Sequence, residues 1–138
     1  MRSVHRPLLV TSRKFHSTIR FAIAFDGSPT TRKRVEMVCM SPLLKGLACY
    51  LIVAGSINAA LDESLSWARA RLVQAGFDPE TVIKAGNAEQ VISDQVGELD
   101  IGLLVMGAYG HSRIRHLIVG STTTAVLRSC TIPVLLLR

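Results

Sequence analysis

IGLLVMGAYGHSRIRHLIVGSTTT, residues 101–124, begins as an apolar run and ends as the opening of a helix. Ile101 to Met106 is short, continuous and apolar, the pattern of a strand buried on both faces. Gly107 and Gly110 break it, a basic connection follows, and Gly120-Ser121-Thr122 supplies a helix cap. The expected helix covers roughly 121–129. Strand, glycine-bearing loop and helix in this order make half of a βαβ unit, so the remaining chain should repeat the pattern.

It does. Phe21 to Phe25 is an apolar run of strand length, closed by Asp26-Gly27. Ser28-Pro29 starts a helix, with serine as cap and proline in the first helical position. Val35, Val38 and Cys39 then recur at helical spacing until Pro42. Ala48 to Ala54 reads as a buried strand, and Leu61, Leu65, Ala68, Leu72 and Ala75 form a helical stripe that Gly76 ends. Thr81 to Ala85 is a third strand, broken at Gly86. Asn87 and Gln90 resemble a capping box, and Ile92, Gln95, Val96 and Leu99 continue that helix face. Val134 to Leu137 closes the series as a last strand.

Alternating strands and helices with near-continuous apolar strands predict an α/β fold. The expected architecture is an open five-stranded parallel sheet with helices on both faces. Ligands of such sheets bind beyond the carboxyl ends of the strands, where the strand order reverses. In the order 3-2-1-4-5, counted from Phe21–Phe25, the reversal lies between the strand ending at Asp26-Gly27 and the one ending at Gly107-Ala108. The segment quoted above therefore starts where the fold would place a ligand.

Composition narrows the class. The chain has 138 residues, 49% hydrophobic and 19% charged, which fits one folded domain with a single core. No apolar run approaches the ~18 residues of a membrane span. The net charge of +6 is concentrated at the start: Arg2, Arg6, Arg13, Lys14 and Arg20 occur there with no acidic residue. The basic balance thus belongs to a segment, residues 1–20, ahead of a domain over 21–138. No zinc-finger spacing or other nucleic-acid motif accompanies it, so no specific nucleic-acid partner is expected. Cys39, Cys49 and Cys130 show no CxxC and read as buried, reduced thiols of a cytoplasmic protein. The four histidines form no HExxH-type pair.

Two readings of residues 1–20 stand side by side. Arg- and Ser-rich, acid-free sequence is typical of a mitochondrial transit peptide, but Pro7 interrupts a long amphipathic helix. Alternatively, Arg6-Pro7-Leu8-Leu9-Val10 matches Ile132-Pro133-Val134-Leu135-Leu136 in pattern. It could then be the last strand of a preceding domain, left on a linker.

Glycines at 107 and 110 let a backbone approach a ligand closely, and the N–H groups opening the helix at Gly120 suit an anion. Ser121 and Thr122 add hydroxyl donors, while Arg113, Arg115, His111 and His116 add positive charge. The competing reading is a plain strand-to-helix loop with a serine cap and solvated arginines. Other phosphate motifs fail: no GxGxxG follows Phe21–Phe25, and no Lys-Ser/Thr follows Gly107 as a P-loop requires. A nucleophile elbow is also missing. Trp67, on the second helix, is expected to be partly buried core.

Gly107-x2-Gly110-x9-Gly120-Ser121 resembles the G-x2-G-x9-G-[S/T] signature of the universal stress protein family, in its ATP-binding branch. Phe25-Asp26-Gly27-Ser28, Leu103-Leu104-Val105-Met106-Gly107 and Pro133-Val134-Leu135-Leu136-Leu137-Arg138 match its strand contexts. The resemblance spans about residues 20–138 and implies a Rossmann-like fold of the adenine nucleotide α-hydrolase-like kind. It also implies ATP with Mg²⁺, the metal held mainly through the phosphates. By the same resemblance, Asp26 lies against the ribose or the metal-bound phosphates. The Val53 backbone would read the adenine edge with Met106 nearby, and Gly107, Gly110, Gly120, Ser121 and Thr122 would cradle the phosphates. It further implies a homodimer through the last strand, and a place as the second half of a tandem-domain protein. The expected role is a stress-response regulatory module with at most weak ATPase activity. A nucleotide-independent dimeric interaction module is the alternative.

Overall fold

The computed structural model describes residues 8–10, 20–107 and 132–137. Its elements, in chain order, are β1 (Leu8–Val10), β2 (Arg20–Ala24), α1 (Pro29–Met40), β3 (Ala48–Ala54) and α2 (Ala59–Gln74). They continue with β4 (Pro79–Lys84), α3 (Ala88–Glu98), β5 (Leu103–Gly107) and β6 (Val134–Leu137). The expected helix at 121–129 lies outside the described residues.

One sheet organises the molecule, in the order β1-β6-β5-β2-β3-β4. The strands β2 to β6 are parallel to one another and reproduce the expected 3-2-1-4-5 order. β1 is additional: it adds to β6 antiparallel. The last strand, through which the resemblance implies a homodimer, is therefore covered over Val134–Leu136.

Strand alternation sorts side chains between two cores. Phe21, Ile23 and Phe25 of β2 and its extension join Leu51, Val53 and Val105 on one face, where Val35 and Val38 of α1 and Leu65, Ala68 and Leu72 of α2 cover them. Ala22, Ile52, Leu104, Met106 and Val134 face the other way, under Val91, Ile92 and Val96 of α3. Helices on both faces follow directly. Each fully buried aliphatic or aromatic side chain contributes ~1.5–3 kcal/mol.

Local chemistry fixes the helix ends. Ser28, Asn58 and Asn87 cap α1, α2 and α3 by accepting from Thr31, Leu61 and Gln90 N–H. α2 ends in a Schellman turn: Phe77 N–H donates to the Leu72 carbonyl and Gly76 N–H to that of Val73. Gly76 takes φ 97° there, which glycine reaches without a Cβ clash. Between α1 and α2, Arg71 forms a bidentate pair with Glu36, and Arg32 lies 5.2 Å over the Trp67 ring. Trp67 is partly buried against the first core, as its sequence position suggested. Among the described residues, no helix is long and apolar enough to cross a membrane.

Candidate functional site

The strand order reverses between β2 and β5. Their register pairs Phe21 with Leu103 and Ile23 with Val105, so Phe25 leaves β2 level with Gly107 at the end of β5. Asp26 emerges beside that end. Met106, one residue earlier, is buried in the second core and fixes the direction of the β5 exit.

Asp26 is held by the start of α1. Its Oδ1 accepts the Ser28 N–H at 2.9 Å and the Thr31 hydroxyl. Thr31 is fully buried and its Oγ1 in turn accepts from Arg34 Nη2 at 2.7 Å. Arg34 is itself buried, and its Nε has no hydrogen-bond partner among the described residues. Desolvation pushes the Asp26 carboxyl up, but the Thr31 hydroxyl, both Ser28 donors and the Arg34 charge outweigh it and hold the group below its usual range. A carboxylate held that way is a stable anion and a weak base.

Gly27 follows with φ 79°, in the left-handed region that favours glycine. A Cβ there would sit 3.0 Å from Leu61 Cδ1. α2 packs directly over this turn, with Ser64 Oγ donating to the Gly27 carbonyl at 3.4 Å and accepting from Arg32 at 3.1 Å. The turn that aims Asp26 is thus clamped by two helices.

At the adjacent strand, Phe25 N–H donates to the Ile52 carbonyl and Gly55 N–H donates to that of Lys84. Successive peptide groups of a strand face opposite neighbours. The backbone groups of Val53 therefore face β4, where Val53 pairs with Ile83, while those of Ala54 face the reversal. Gly55 to Asn58 connects β3 to α2 without a longer loop. A separate shallow pocket of about 240 Å³ at the start of α3 is lined by Lys84, Asn87, Asp94 and Gln95. It sits by edge strand β4, away from the reversal.

Of the residues expected at the site, the structure brings Asp26, Met106 and Gly107 to one end of two adjacent strands and leaves Val53 one strand further out. Gly110, Gly120, Ser121 and Thr122, with His111, Arg113, Arg115 and His116, lie outside the described residues. Sequence reasoning did not single out Thr31 and Arg34, which hold Asp26, or Ala54, whose backbone groups face the reversal. The first two were detectable, since Thr31 stands three residues after the Ser28 cap and Arg34 one helical turn beyond it.

The model of the universal stress protein family matches residues 53–138. A universal stress protein of Synechocystis sp. is 39% identical over 140 residues, covering 100% of this chain and 49% of the relative. The chain belongs to the universal stress protein family. It spans about half the length of that curated relative. Among solved structures, a universal stress protein of Archaeoglobus fulgidus aligns at TM-score 0.72 and 19% identity, over 97% of this chain and 50% of its own. A universal stress protein solved in complex with cAMP aligns at TM-score 0.71 and 23% identity, over 88% of this chain and 98% of its own. One from Arabidopsis thaliana with AMP bound aligns at 0.64 and 16%, over 85% and 90%. These likenesses establish a universal stress protein fold.

Proposed function

We propose that this chain is a universal stress protein domain that binds an adenine nucleotide, ATP with Mg²⁺, at the carboxyl ends of β2 and β5. Its role is that of a stress-response regulatory module of the cytoplasm. The observation that carries the reading is the β2–β5 register, which sets Asp26 beside Met106-Gly107 at the point where the strand order reverses. The sequence leaving that point carries the three spaced glycines and Ser121-Thr122 as phosphate donors. Relatives of the same fold carry cAMP and AMP.

In this reading, Asp26 accepts from the ribose with lone pairs not committed to Ser28 and Thr31. The adenine edge meets the Ala54 backbone, which faces the reversal, with Val53 supporting it from the neighbouring core. No group of three or more His, Cys, Asp or Glu side chains gathers among the described residues. As the family resemblance implies, Mg²⁺ would be held mainly by the phosphates. The depressed carboxyl makes a poor general base, so turnover would be no more than weak ATPase activity. Free, buried Cys39 and Cys49 fit a reducing compartment.

Calorimetric titration of nucleotide-stripped protein with ATP, AMP and cAMP, with and without Mg²⁺, tests this. Micromolar affinity for ATP is expected, with at least a tenfold loss in Gly120→Val. No binding by folded protein would overturn the nucleotide reading and favour an interaction module whose loop stays empty.

A further inference from the structure

Arg34 is a costly residue where it stands. It is 6% exposed, its Nε has no hydrogen-bond partner among the described residues, and burial pulls its pKa down. An apolar side chain of similar length would fill the position at lower cost, because a buried guanidinium replaces its lost hydration only through well-made hydrogen bonds. Packing alone therefore does not account for it.

The helix shows where Arg34 is directed. Arg32, Glu36 and Cys39 meet Ser64, Trp67 and Arg71 of α2. Arg34 lies about 200° round the axis from Arg32 and from Glu36. It faces away from α2, on the flank of α1 that packs on β5, the strand whose end opens the glycine-bearing segment.

Its hydrogen bond runs into the site, with Nη2 donating to Thr31 Oγ1 at 2.7 Å. A guanidinium only donates and an ionised carboxylate only accepts. Thr31, between them, must accept from Arg34 and give its single hydroxyl proton to Asp26 Oδ1. Threonine in a helix otherwise divides between two χ1 rotamers, because its hydroxyl can turn to a carbonyl one turn back. Arg34 holds the rotamer that faces Asp26. It is also the one charge among the described residues that acts on the Asp26 carboxyl.

We infer that Arg34 is a positioning residue for ribose recognition: through Thr31 it fixes the Asp26 carboxylate so that its remaining lone pairs meet the sugar hydroxyls. The inference rests on the nucleotide reading above for its ligand, and on the Arg34–Thr31–Asp26 relay for its mechanism. Arg34 thereby sets the preference for a hydroxylated sugar without touching the nucleotide. A site built to bond a hydroxyl rejects the analogue that lacks it, because its own polar groups are then left unpaired.

The test titrates the full, nucleotide-stripped chain with ATP and with 2′,3′-dideoxy-ATP, and follows the Asp26 carboxyl by carbon-detected NMR. The unaltered chain should favour ATP about tenfold or more, the worth of a charge-assisted hydrogen bond. Arg34→Met keeps the side chain's bulk and removes its donors and charge. It should cut that preference to about threefold or less, leave affinity for the dideoxy analogue nearly unchanged, and raise the Asp26 midpoint toward 3.8. Arg34→Lys, which retains a charge and a donor, should restore both readouts. An Arg34 that only packs α1 would weaken both nucleotides alike, or neither, and leave the ratio and the midpoint unmoved; that result overturns the positioning role while the nucleotide reading stands. A folded chain that binds neither nucleotide overturns the nucleotide reading, and the ribose role with it. Should Arg34→Met fail to fold, Thr31→Val breaks the relay one link nearer to Asp26. A lost preference there supports the proposal and an unchanged one overturns it.

Discussion

Asp26 shows how a residue chosen from sequence acquires a physical environment. Its position at the strand end was readable from Asp-Gly after an apolar run, and the helical spacing of Thr31 and Arg34 after the Ser28 cap carried the signal for its partners, but the hydrogen bonds that join them come from the return of α1 over the turn. Thr31 and Arg34 together make the carboxylate a fixed charge. The group lies below its ordinary value of 3.8, so its contribution to stability is present above that pH and is lost as pH falls through the depressed folded value. Asp26→Asn should flatten the acid limb of the stability curve below about pH 4, as read by urea denaturation across pH. The effect should stay under about 1 kcal/mol, because the carboxylate is solvent-exposed and screened. Thr31→Val removes the buried hydroxyl and should cost roughly 1 kcal/mol while moving the Asp26 titration back toward normal. A carbon-detected NMR titration with an unchanged Asp26 midpoint would contradict this role for Thr31.

At the level of elements, apolar runs and caps were the legible part. Ala48–Ala54 and Val134–Leu137 appear with the expected bounds, Ser28 and Asn87 open helices where expected, and Gly76 closes one. Boundaries moved where tertiary hydrogen bonds decide. β4 begins at Pro79 rather than Thr81 because Pro79 pairs with Cys49 at the sheet's edge, where a missing N–H is tolerated. β5 begins at Leu103 because Ile101 N–H is spent on the Val96 carbonyl, closing the turn after α3. That turn is a Schellman motif with Asp100, φ 53°, where glycine is usual. Asp100 is exposed, so Asp100→Gly should relieve backbone strain without disturbing packing. A gain of roughly 0.5–1 kcal/mol is expected from the relieved left-handed conformation, net of glycine's greater unfolded-state freedom. Chemical denaturation showing a loss of stability would mean that the aspartate makes a compensating contact. β1 was legible as a sequence echo of β6, yet its place in the sheet was not, since three residues carry too little pattern to specify a pairing.

For the molecule as a whole, the strand order sets what a ligand at the reversal can do. β2, β3 and β4 run to one side of it and β5, β6 and β1 to the other. A nucleotide spanning the ends of β2 and β5 would touch both halves of the sheet and bind only when they are joined. Such a ligand stabilises the folded state by mass action, by about 2.7 kcal/mol at a hundredfold excess over Kd. For a chain of 138 residues that corresponds to a rise in melting temperature of roughly 8–10 °C. Gly120→Val should show no rise, since its added side chain blocks phosphate approach, while keeping the ligand-free melting temperature within a few degrees. Removal of β1 should leave the nucleotide-induced rise intact, because β1 is separated from the reversal by β5 and β6. A rise abolished by losing β1 would mean that β1 and the site form one coupled unit. A rise of equal size in Gly120→Val would place the nucleotide somewhere other than the glycine-bearing loop.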